Sequence, residues 1–192
     1  MQATRSRWAG RYVGATFILG GVAWLVITLL VLGNLLAGME PPNYMLGPAS
    51  SRMVASPGAT AWFVMGLLSY LVIGIVGIGM SALFYNHIES NLGASLSGWR
   101  NIAAWIHLGL GGGGAAAASL LMTYAGYQAG VALLAVNLGG LGQDTAYVHT
   151  NILQPVVLPI AGLMVVALLG YLVGGIGLGT AWWKARAGPP AA

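Results

Sequence analysis

Seven basic and three acidic side chains are all the formal charge that 192 residues carry. A soluble domain gives roughly a quarter of its positions to Asp, Glu, Lys and Arg, whereas here the share is 5% and 58% of the chain is hydrophobic. A chain of this length that folds in water still needs a polar exterior, and this one has too few residues to build it. Its exposed surface must be apolar, which predicts an integral membrane protein.

The apolar residues fall into long runs, so the predicted fold is all-α. It is a four-helix transmembrane bundle forming one domain over 1–192, with helices over about 12–36, 61–85, 100–124 and 152–183. At about 1.5 Å per residue these runs reach across a hydrocarbon core of roughly 30 Å. Arg5, Arg7 and Arg11 precede the first run as they would in a secretory signal peptide, but the run is longer than an h-region of about 7–15 residues. A linker containing Pro41, Pro42, Pro48 and Pro57 separates the first two runs. Residues 127–142, interrupted by Asn137 and several glycines, are short for a span and read as an interfacial or re-entrant segment.

Four spans put Arg5, Arg7, Arg11, Arg100, Lys184 and Arg186 on one side of the membrane and Arg52 alone on the other. The positive-inside rule then places both termini in the cytoplasm and the chain in the inner or plasma membrane. Trp8, Tyr12, Phe84, Tyr85, Trp99, Trp105, Trp182 and Trp183 fall near the inner boundary, where an aromatic belt is expected. The basic residues stand at the ends of apolar runs as topology signals and headgroup contacts, so no nucleic-acid partner is expected. The chain has no cysteine, which excludes disulfides, thiolate metal sites and iron–sulfur clusters built by this chain alone. Glu40, Glu89 and Asp144 lie in loops or at helix ends, leaving no buried acid pair; no catalytic residue and no metal set is expected.

Glycine is the most informative residue, at 31 positions. Gly111 and Gly114 in the third helix, and Gly170, Gly174, Gly175 and Gly179 in the fourth, are predicted helix-packing positions. The last four make two G-x-x-x-G spacings, and small residues let backbones approach closely, within the chain or against a partner. His107 falls well inside the third helix, where an ionisable ring is a functional candidate or a neutral imidazole bonded to a neighbouring helix. His87 stands at the inner end of the second helix, a candidate cofactor contact or an interfacial side chain. The two differ in depth by about 10 Å at helical rise, so they do not form a bis-histidine haem pair, and His149 belongs to the opposite side.

The stretch Tyr85-Asn86-His87-Ile88-Glu89, then Trp99-Arg100-Asn101-Ile102-Ala103-Ala104-Trp105-Ile106-His107-Leu108-Gly109-Leu110-Gly111, ending Thr123-Tyr124-Ala125-Gly126-Tyr127-Gln128-Ala129-Gly130, resembles haem-bearing helices of the haem–copper oxidase catalytic subunit and small membrane proteins like it. With three histidines the chain falls short of that subunit's metal ligands. The resemblance therefore implies a non-catalytic accessory or assembly subunit of a respiratory or electron-transfer complex. Its implied partners are the lipid bilayer and other membrane subunits, with haem b or quinone shared with one of them and touched at His107. Two other readings follow from the residues. A small oligomeric transporter or channel would draw a polar path from Thr16, Thr28, Asn34, Ser69, Ser81, His107, Ser119 and Thr123. A membrane enzyme acting on a lipid or quinone would gather His87, Glu89 and Arg100.

Overall fold

The computed structural model describes residues 6–187 apart from Pro57 and the Val54 side chain; Arg5 and Pro57, named above, lie outside it. The fold is 82% helix, and no strand occurs among the described residues. In chain order the helices are α1 (Arg7–Ala37), the short α2 (Ser50–Val54), α3 (Ala59–Asn91), α4 (Trp99–Leu133) and α5 (Thr145–Arg186). All but α2 are long and apolar enough to cross a membrane.

Each long helix outruns the apolar stretch that announced it, because hydropathy marks what a bilayer would require whereas the backbone stays helical until something caps it. At α1 the Ser6 Oγ accepts the Ala9 N–H at 3.0 Å as an N-cap. Glu89, on the last turn of α3, accepts from Ser6 Oγ at 2.6 Å and from Trp8 N–H at 2.9 Å, putting a carboxylate at the positive end of α1. At α5 the Asp144 carboxylate caps by accepting the Tyr147 N–H at 2.7 Å.

Residues 127–133 depart from expectation. They continue α4 and do not open a separate segment. Gly126 and Gly130 do not stop the helix, because their bare faces admit neighbours: a Cβ on Gly126 would lie 2.6 Å from Phe63 Cα, and one on Gly130 would lie 3.1 Å from Met53 Cβ. Beyond Leu133 a 3-10 turn over Val136–Leu138 reverses the chain. The N–H groups of Leu141, Gly142 and Gln143 then donate to the carbonyls of Val131, Leu134 and Ala132 at 3.0, 2.7 and 2.7 Å. The segment thus supplies the donors that the end of α4 lacks.

The chain divides into two compact units. The first takes the residues up to Leu19, Val72–Ala116 and those from Leu163 onward. Its core is Trp8, Tyr12, Ile78, Ala82, Tyr85, Ile88, Leu96, Ala104 and Ala181, all buried. Here α4 and α5 touch backbone to backbone: a Cβ on Gly170 would overlap Gly111 N, and one on Gly114 would lie 3.3 Å from Ala167 Cβ. Gly175 and Gly179 meet nothing within 4 Å, so only the first of the two G-x-x-x-G pairs packs inside the chain.

The second unit takes Gly20–Leu71 and Ala117–Gly162, around Ala59, Ala125, Ala129, Ala132, Val148 and Leu153. Gly66 lies against α4, where a Cβ would come within 2.9 Å of Ser119 O. Tyr127 Oη donates to Leu46 O at 3.2 Å. It occupies the place where a side chain on Gly47 would project, and that residue's φ of +90° also favours glycine.

The crossing sets two alanine substitutions against each other. Gly170→Ala is expected to cost about 1–3 kcal/mol through overpacking, whereas Gly175→Ala is neutral or slightly stabilising, alanine being the better helix former by about 1 kcal/mol. Thermal unfolding of the detergent-solubilised variants measures both, and equal midpoints would refute the backbone contact.

Candidate functional site

Each of the three histidines opens a stretch of π-helix, at His87–Asn91, His107–Gly113 and His149–Leu153. Such widened turns gather at functional sites, but a feature all three share singles out none. Burial does: His107 is 6% exposed, whereas His87 and His149 are exposed.

Each of the other three long helices contributes a tyrosine ring to the surroundings of His107. Its Nδ1 lies 3.2 Å from the Oη of Tyr85 on α3. Tyr12, from α1, stacks on Tyr85 at 4.6 Å between centroids and donates its hydroxyl to Ala104 O at 3.2 Å. Tyr171, from α5, stands edge-on to the imidazole at 5.4 Å, its buried Oη without a partner among the described residues. The cluster continues into Trp8, which meets Trp105 in a T-shaped contact at 5.1 Å. The Arg11 guanidinium lies over both indoles, at 4.6 and 4.7 Å, a cation–π arrangement suited to a charge with few anions nearby.

Glycine makes the room for this ring. A Cβ on Gly174 would overlap His107 Cβ and Cγ, and one on Gly111 would lie 3.3 Å from its Cδ2. Four of the predicted packing positions, Gly111, Gly114, Gly170 and Gly174, thus serve one helix contact, and two of them also seat the imidazole.

This arrangement does not fit a haem at His107. An axial ligand must present a free nitrogen to an open face of the macrocycle. His107 is only 6% exposed, and Tyr12, Tyr171 and the Gly174 backbone crowd the imidazole, so no such face opens onto it. What the group can do is pair protons: the Tyr85 hydroxyl and the imidazole satisfy each other in an apolar interior, where an unmade hydrogen bond is expensive. Open space lies beside His87 instead. It is paired with Asn91 at 3.2 Å and borders an apolar groove of about 350 Å³ with Phe84, Ile88, Leu178, Gly179 and Trp182.

The other candidate groupings are not brought together. Glu89 is engaged by Ser6 and Trp8, His87 faces its groove, and Arg100 lines a separate cleft with Lys184. Three of the six hydroxyls proposed for a polar path bond within their own helices: Thr16 to Tyr12 O, Ser81 to Gly77 O and Thr123 to Ser119 O, at 2.9, 2.9 and 2.8 Å. Asn34 accepts from Ser51 Oγ at 2.9 Å. No group of three His, Asp or Glu side chains converges among the described residues.

Sequence reasoning missed the tyrosines. Trp8, Tyr12 and Tyr85 read as interfacial belt residues, yet they are buried at 0%, 0% and 1% exposure. The signal was the four-residue spacing of Trp8 and Tyr12, which puts both on one face of α1. Gly126 and Gly130 carried the same spacing signal on α4. Compared with protein-family models, curated proteins and solved structures, the chain matches none.

The hydrogen bond at the centre can be isolated. Tyr85→Phe keeps the ring and is expected to cost about 1–3 kcal/mol by leaving the imidazole unpaired. In a double-mutant cycle with His107→Leu the two are expected to couple by about 0.5–3 kcal/mol, read from unfolding midpoints in detergent; strict additivity would show that the two side chains do not interact.

Proposed function

We propose that the chain is a multi-pass integral membrane protein, with both termini in the cytoplasm, that serves as a non-catalytic subunit of a larger membrane complex. The observation that carries this reading is the nakedness of α1, of whose most apolar 18-residue window only 6% is buried within the chain. Phe17 and Trp24 on it are 77% and 70% exposed. So large an apolar face needs lipid or other membrane-embedded polypeptides against it. The small-residue face at Gly175 and Gly179, open on α5, suits close approach by a second helix.

The described residues of the first unit hold five basic side chains (Arg7, Arg11, Arg100, Lys184, Arg186) and one acidic one, Glu89. This asymmetry supports a cytoplasmic location for that unit's helix ends. A respiratory or electron-transfer complex is the class of assembly to which the Tyr85–Gly130 resemblance points. In such a complex the closed packing at His107 leaves any haem or quinone to be held by a partner subunit. A transporter or channel reading loses support from Thr16, Ser81 and Thr123, whose hydroxyls are engaged by their own helices.

Solubilised gently from its native membrane, the protein is expected to migrate on a native gel with other subunits, well above its own 19.7 kDa. Migration alone, together with solute flux after reconstitution, would replace the subunit reading with a transporter. Topology is testable because the chain has no cysteine. Ser95→Cys and Ala187→Cys are expected to react with an impermeant maleimide from the same, cytoplasmic side, and labelling from opposite sides would sink the four-span arrangement.

A further inference from the structure

Within the first unit most charged groups are already engaged. Arg7 donates to Asn101 Oδ1 at 2.7 Å, Arg11 lies over two indoles, Arg186 stacks over Trp182 at 4.7 Å, and Glu89 accepts from Ser6 and Trp8. Arg100 and Lys184 are the exception. Both line a cleft of about 280 Å³ between the 92–97 connection and the last turns of α5, with Ser95, Ser97 and Ala181 and no carboxylate. The Arg100 Nε is buried and without a partner among the described residues, a costly condition for a charged donor unless something accepts from it. Arg100 stands in the first turn of α4, which no side chain caps, and a helix start favours negative charge nearby.

We infer that this cleft binds a phosphate group. A guanidinium fork and an ammonium beside hydroxyls match a tetrahedral oxyanion, and no acidic lining residue repels it. Basic pockets at helix ends on the cytoplasmic side are a recurrent place for anionic lipid headgroups. The same last turns of α5 border the apolar groove with Phe84, Ile88 and Trp182, where an acyl chain would lie if the phosphate belongs to a lipid. The inference rests on the membrane-embedded reading above only for the lipid as source; phosphate chemistry in the cleft does not.

The test uses the full chain in nanodiscs of phosphatidylcholine, with or without phosphatidylglycerol, and in detergent with inorganic phosphate. Native mass spectrometry after release counts retained phosphatidylglycerol, and the unfolding midpoint reports phosphate binding. Retention is expected to fall about five-fold for Lys184→Gln and about five-fold further with Arg100→Gln, as roughly 1 kcal/mol per basic residue implies. Arg100→Lys is expected to hold most of it and Arg186→Gln to leave it unchanged. Preference for phosphatidylglycerol without a response to inorganic phosphate assigns a lipid headgroup, whereas a phosphate-induced midpoint shift lost in Lys184→Gln assigns a free oxyanion. Neither signal, or signals undiminished in Lys184→Gln, overturns the site. Lys184 is exposed, so its variant decides the matter should Arg100→Gln fail to fold. Flotation with vesicles after a carbonate wash checks the membrane reading separately, and its failure would leave the phosphate measurement in detergent standing.

Discussion

The first unit depends on the contact of two helix backbones at Gly111 and Gly170. With no Cβ on either side the axes close to van der Waals contact, and antiparallel geometry then fixes the neighbours turn by turn. Gly114 falls on Ala167, His107 on Gly174, and Ala103 on Gly177, where a Cβ would lie 2.8 Å from that of Ala103. His107 is one helical turn before the crossing and Gly174 one turn after it, so the imidazole enters the space that glycine leaves. Such close packing matters more in a membrane than in water, because lipid tails are as apolar as the side chains and the hydrophobic effect does little to hold helices together.

Around that crossing polar groups are satisfied at short range. The hydroxyls of Thr16, Ser81, Thr123 and Thr180 each bond to a carbonyl of the preceding turn, Thr180 to Ile176 O at 2.9 Å. The one carboxylate of the first unit caps α1, and Tyr12, Tyr85 and His107 pair with one another or with Ala104 O. Where water is absent, each unmatched donor or acceptor carries a large desolvation cost. A network joining α1, α3 and α4 therefore selects one mutual register among the many that apolar surfaces alone would tolerate. The Tyr171 hydroxyl, the Trp8 Nε1, one terminal nitrogen of Arg11 and the Arg100 Nε stand outside this economy among the described residues.

The sequence by itself determined the all-helical class, the number of helices long enough to span a membrane and the importance of close-packed glycine. Those properties follow from local composition: charge is scarce, and in long apolar runs the helix is the one open structure that satisfies its own backbone. Helix ends were less legible, since Ser6, Asp144 and the turn after Leu133 act through hydrogen bonds to which hydropathy is blind. Only the tertiary structure decided which glycines touch another helix, that His107 is enclosed while His87 borders open space, and that Trp8, Tyr12 and Tyr85 belong to a core and not to an interface. Each of these depends on which faces of two distant helices meet, a relation set by side-chain volume and backbone approach across long sequence separation and carried by no single stretch of the chain.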